Sequence, residues 1–228
     1  MSTRTAPSRE QVLDALRRAP RRPLQAALEG TLEHLRASAR SGRGVLADLL
    51  GRAEAFAEWE HYPPRDARDP HSGYRFYYHA HALQQRARGE HGHFHVFAPR
   101  RARAAEADYA HLFALSVDAR GMPLRVFSTN RWVTAEHWQD AAWTLRALKR
   151  LDLSGARPRR VASWLQDMAR LFEPQIQAVV LERERRVGLR ARQRPLERVL
   201  EDRRSHILSQ CAVDLARQFE FLQAAGVA

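Results

Sequence analysis

Two stretches decide the reading of this chain: Tyr74-Arg75-Phe76-Tyr77-Tyr78-His79-Ala80-His81 and His91-Gly92-His93-Phe94-His95-Val96-Phe97. Both are aromatic-rich and alternate with a period of two, the pattern of strands in a half-buried sheet. A third run, His111-Leu112-Phe113-Ala114-Leu115-Ser116-Val117-Asp118, and a fourth, from Leu124 to Thr129, continue the pattern. Asp118-Ala119-Arg120-Gly121 between them reads as a hairpin turn, with Gly121 at a left-handed position. Four successive strands with short links predict an antiparallel meander across residues 74–130.

On either side the period becomes helical. Ser8 and Gln11 form a capping box ahead of Val12, Leu13 and Leu16. Pro20 to Pro23 breaks that helix, and a second follows with Leu24, Leu28, Leu32 and Leu35 on one face. After the turn Ser41 to Gly44, a third helix is expected from Val45 to Trp59. Pro63-Pro64 forbids its continuation, so 62–73 reads as a loop. Beyond the sheet, Thr134 should cap a helix reaching Leu151 and burying Trp138, Ala142, Leu145 and Leu148. Further helices are expected over 162–172, stopped by Pro174, and over 176–190. A long final helix should open at Pro195, with Ile207, Cys211, Leu215, Phe219 and Leu222 as its stripe. The reading is one α+β domain over 1–228, a four-stranded antiparallel meander flanked by N-terminal and C-terminal helices.

At 228 residues and 44% hydrophobic composition the chain can bury a core. One cysteine, Cys211, excludes a disulfide framework and a cysteine-built zinc site. Nothing resembles a signal peptide or a membrane span, so a cytoplasmic location is expected and no membrane partner. The net charge of +12 invites nucleic acid as a partner, but Lys149 is the only lysine among 38 basic residues. Acids stand at helical spacing from many arginines, Glu182 from Arg186 and Glu29 and Glu33 from Arg36 among them. The run Arg183 to Arg204 lacks aromatics for base stacking and is interrupted by acids. A salt-bridged surface is the preferred reading, and a basic nucleic-acid or protein-binding module the third alternative.

The five histidines His79, His81, His91, His93 and His95 all carry odd numbers. Residues two apart share a face of a strand. Joining the apolar alternates Phe76 and Tyr78 to Phe94 and Val96 puts both histidine sets on the other face, with His79 opposite His93 and His81 opposite His91. Opposed side chains are close enough for imidazoles to converge on one ion. Neutral imidazole suits zinc, iron, copper or nickel, and three such ligands leave a position for a small-molecule substrate. His79, His81 and His93 form the favoured triple, with His91 or His95 as alternative third ligand. Glu90 or Asp69 would be the nearby carboxylate, and Pro63 to Gly73 one wall of the access path. The competing reading is a polar sheet face on which histidines are tolerated.

His91-Gly92-His93-Phe94-His95-Val96-Phe97, with Ala98-Pro99-Arg100 trailing, resembles the motif of the histidine-triad nucleotide hydrolases and transferases. That resemblance implies a metal-free mechanism in which His93 attacks a phosphate. Glu90, the nearby carboxylate, is the other catalytic candidate. Gly92 stands where that family has a bulkier apolar residue. Over a longer span, Trp59-Glu60-His61-Tyr62-Pro63-Pro64, Tyr77 to His81, Gly89 to His95 and Thr129-Asn130-Arg131-Trp132-Val133-Thr134 resemble an uncharacterised bacterial family, a domain of unknown function. This resemblance covers roughly 45–225 and implies no activity.

Two smaller features complete the reading. Ser128 to Trp132 leaves a strand just before a helix, where Arg131 could hold an anion and Asn130 could join His111 across the sheet. An ordinary turn is the preferred alternative. Glu58 and His61 have the spacing of di-iron carboxylate bundles, but no second pair accompanies them.

Overall fold

The computed structural model describes residues 6–51, 57–101 and 108–227. The first helices are α1 (Arg9–Arg18), α2 (Arg21–Ser41) and α3 (Val45–Leu50). The Ser8–Gln11 capping box forms with both of its hydrogen bonds. α3 ends at Gly51, whose φ of 63° is left-handed; the rest of the expected helix falls largely outside the described residues. The strands β1 (Tyr62–Arg68), β2 (Arg75–His79), β3 (Gly92–Pro99), β4 (Tyr109–Val117) and β5 (Pro123–Thr129) follow. Then come α4 (Arg131–Thr134), α5 (Ala141–Lys149), α6 (Arg159–Leu171), α7 (Glu173–Ala191) and α8 (Leu196–Leu200). β6 (Ile207–Ala212) and α9 (Leu215–Ala224) close the chain.

The sheet is an antiparallel meander of six strands in the order β1-β2-β3-β4-β5-β6, two more than the four expected. β1 replaces the expected loop. Pro63 and Pro64 lack an amide donor, yet an edge strand needs its donors on one side only. The ladder to β2 is interrupted between Tyr62 and Ala67, around those prolines. β6 replaces the middle of the expected final helix. Its residues pair with β5 from Arg125↔Ala212 to Thr129↔Ile207, and the backbone bonds of an open sheet edge outweigh a weak helical stripe.

Two helix boundaries also move. Ala135 takes a left-handed φ of 51°, so α4 stops there, and Asp140 rather than Thr134 caps α5 by accepting from the Trp143 amide. Pro174 starts α7 instead of stopping α6, because a proline in the first turn has no amide to waste.

The apolar alternates behave as expected. Phe76, Tyr78, Phe94, Val96, Leu115 and Val126 share one core with Trp164 and Leu165 of α6 and Val179 of α7. The helices thus cover this face, and the alternate residues of β2 to β5 are left for the other. Among the described residues no helix is long and apolar enough to cross a membrane. Glu182 pairs with both Arg185 and Arg186, Asp202 with Arg194 and Arg204, and Glu33 with Arg40 instead of Arg36.

Candidate metal centre

The register places His79 directly opposite His93 and Tyr77 opposite His95, so three histidines rise on one face from alternate rungs of β2 and β3. His79 Nε2 and His93 Nε2 lie 2.8 Å apart. One ligand nitrogen from each of His79, His93 and His95 falls within 4.8 Å of the others. A tetrahedral ion with nitrogen ligands sets them about 3.3 Å apart, so small side-chain rotations fit this set to an ion. His93 and His95 are 4% and 1% exposed, and His79 is half-buried at the end of β2.

The back of the triad is held by hydrogen bonds. His93 Nδ1 donates to Glu90 Oε1 at 2.7 Å, which directs Nε2 toward His79. Glu90 also accepts from Ser116 Oγ at 2.9 Å and Arg125 Nη2 at 2.8 Å. Arg125 reaches Ser116 and Gln210 as well, tying β4, β5 and β6 to one carboxylate. His95 Nδ1 and His111 Nε2 share a hydrogen bond of 3.1 Å, leaving His95 Nε2 for the centre. A carboxylate or imidazole behind a ligating histidine fixes its tautomer and raises its basicity. Glu90→Gln keeps the shape and loses the charge, and should weaken metal affinity about 10- to 100-fold. Competition with a chromogenic chelator measures this; a change below about threefold would remove Glu90 from the centre.

Burial works against charge on Glu90, but the His93 hydrogen bond and the charges of His93 and Arg125 outweigh it and bring the carboxyl to about 2. The imidazoles go the other way. Burial, then mutual repulsion with His93, takes His79 down to about 2 and His81 to about 4. Burial and Arg183 take His111 to about 3, burial and Arg160 take His34 to about 4, and burial also depresses His91 and His95. Each of these histidines stabilises the fold while neutral, and that stability is lost as pH falls below the ordinary value of 6.5. Glu136 and Asp167 have the opposite sign, since burial raises them to about 8 and about 7, and their contribution is lost as pH rises through those values. Six depressed histidines outnumber two raised acids. Stability of the metal-free chain should therefore climb from about pH 4 to about pH 6.5 and then slip slightly toward pH 8. Denaturation midpoints across that range test this; a fall between about pH 4.5 and 6.5 would contradict it.

The other expected residues fall in different places. His81 lies just past β2, with ring centroids 5.0 Å from His79 and 5.1 Å from His93, beside the triad but outside it. His91 does not share the histidine face. It precedes β3, stacks on Tyr78 at 6.1 Å, and sets Nδ1 2.5 Å from the Tyr78 hydroxyl. The alternation that predicts its direction holds only inside a strand, and β3 begins at Gly92. Asp69 is a loop organiser, accepting from the amides of His71, Ser72 and Gly155. Asn130 caps α4 and donates to the Val199 carbonyl, while its neighbour Thr129 lies 3.5 Å from His111 Nδ1. Arg131 is taken by Glu197 and Glu201. Glu58 bonds Arg86, whereas His61 bonds Asp66.

His111 belongs to the centre although it is far from the hairpin in sequence. Opposite β3, Val96 pairs with Phe113 and Phe97 with His111, so Leu112 is an extra residue in a bulge. Leu112 joins the core and His111 keeps phase with His95. Gly92 is also explained here, since a Cβ would lie 2.5 Å from the His79 carbonyl oxygen and 2.5 Å from the Tyr78 hydroxyl. The bulkier residue of the histidine-triad motif has no room at that position.

A family model described as Domain of unknown function (DUF6969) matches residues 25–213. The chain belongs to the DUF6969 family. The matched span holds all six strands and every histidine of the centre. No curated protein and no solved structure matches this DUF6969 chain.

Proposed function

We propose that this DUF6969 chain holds one divalent transition-metal ion on His79, His93 and His95 and applies it to a small-molecule substrate. One observation carries the reading: three imidazole nitrogens converge within 4.8 Å while the opposite nitrogens of His93 and His95 are anchored by Glu90 and His111. Histidines merely tolerated on a polar face would be solvated, whereas His93 and His95 are sealed from water. An all-imidazole set suits zinc, iron, copper or nickel. Three protein ligands leave a further position, as in catalytic rather than structural sites, and the ion would supply Lewis acidity to a substrate atom there.

Within this reading His93 is a ligand. Glu90 is a positioning residue, because both its oxygens are engaged by His93, Ser116 and Arg125. The metal-free alternative, in which His93 attacks a nucleotide phosphate, draws on the same Glu90–His93 pair. Its weaker point is His79, whose nitrogen occupies the approach to His93 Nε2 at 2.8 Å. The deciding experiment is elemental analysis of tag-free protein, with nucleotide hydrolysis assayed before and after chelation. Metal near one ion per chain supports the centre. Absence of metal after reconstitution, with hydrolysis that survives chelation and disappears in His93→Ala, would put the nucleophile in its place.

A further inference from the structure

The geometry points to a binding slot for a planar aromatic ligand at the open side of the centre, walled by Trp59 and His61, and we propose that the substrate carries such a ring next to its metal-binding atom. The inference rests on the metal reading above. Access comes first. His93, His95 and His111 are all buried, but His61, His79 and His81 are only partly so, and Trp59 is 54% exposed. Among the described residues of the histidine chain, solvent therefore meets the centre on the His61–His81 side.

That side is built of rings. Along β2 and just beyond it, Tyr77, His79 and His81 point the same way. His61 stacks on Tyr77 at 3.7 Å and 10°, and Trp59 stacks on His81 at 4.5 Å and 15°. Both His61 and His81 stand edge-on to His79, each at 89°. The proposed ligand His79 thus stands between two stacked aromatic pairs, edge-on to one ring of each. A flat ring entering there meets aromatic faces and edges, the arrangement that favours offset stacking.

Trp59 is the telling residue. Its φ of 71° is left-handed, an unfavourable conformation for a bulky side chain, and the Trp59 amide is held by the Ala80 carbonyl at 2.9 Å. Core burial does not account for this, because the indole is largely in solvent. Backbone strain that places an exposed aromatic over a site is the pattern of a ligand clamp.

The test uses the full chain loaded with cobalt(II), with imidazole and 4-phenylimidazole as probes followed by visible absorption. In the wild type the phenyl-bearing probe should bind about tenfold more tightly than imidazole, and in Trp59→Ala that advantage should shrink about threefold to tenfold. Cobalt stoichiometry should stay unchanged in the variant, imidazole affinity should fall less than 4-phenylimidazole affinity, and Trp59→Phe should keep most of the advantage. An equal advantage in wild type and Trp59→Ala would overturn the slot while leaving the centre standing. Failure of cobalt to bind at all would instead overturn the metal reading, and the slot with it.

Discussion

Replacing both His79 and His93 with alanine is expected to take bound metal from about one ion per chain to less than about a tenth of that. The size of the effect follows from ligand arithmetic. Loss of a partner behind a ligating histidine costs 10- to 100-fold in affinity, and loss of a ligand itself costs more. Here two of three nitrogens go together, leaving His95 alone. The fold should survive. Glu90 keeps its bonds to Ser116 and Arg125, so no buried carboxylate is abandoned. The His79 imidazole, which burial holds neutral, is removed as well. Circular dichroism establishes that the variant is folded, and elemental analysis of tag-free protein reads the metal. A folded double variant that retains full stoichiometry would place the ion elsewhere.

The second large effect is expected from the smallest change, Gly92→Ala. The added methyl would sit 2.5 Å from the His79 carbonyl oxygen and 2.5 Å from the Tyr78 hydroxyl. A hydroxyl at the end of a side chain can move aside; a carbonyl in the β2–β3 ladder moves only if the rung His79↔His93 opens. Overpacking of this kind costs about 1–3 kcal/mol. At this chain length that lowers the melting temperature by about 2–12 °C. Metal affinity should fall in parallel, because the displaced rung carries two of the three proposed ligands. Gly188→Ala is the internal control: a Cβ there meets nothing within 4 Å on the exposed side of α7, and it should stabilise by about 0.4–1 kcal/mol. If both variants melt like the wild type, the tight approach at Gly92 carries no energetic weight.

The centre is partly legible in sequence for a definable reason. A strand has a side-chain period of two, and Phe76, Tyr78, Phe94 and Val96 must all face the core. That requirement sets the β2–β3 register, and His79 opposite His93 follows from it without any knowledge of the helices. Parity holds only inside the strand. His81 and His91 keep the odd numbering but leave the ladder, so parity no longer tells where their rings go, and His91 turns to Tyr78. His111 escapes parity altogether, because its face depends on the bulge at Leu112.

Local and periodic features can be read from the chain alone: an α+β chain, the capping box of α1, the four central strands, the apolar face they share and the facing pair of histidines. Everything that depends on which edge is available for pairing is settled by the fold. β1 exists because β2 offers a ladder on which prolines are harmless, and β6 because the free edge of β5 recruits a segment whose own periodicity suits a helix equally well. The same holds for the site. Imidazoles two residues apart and Glu90 three residues from His93 are local facts, but Ser116 and Arg125 reach Glu90, His111 reaches His95 and the indole of Trp59 reaches His81 only through strand pairing, a bulge and a left-handed backbone turn. Those contacts are set by long-range packing free energy, which one-dimensional spacing does not encode.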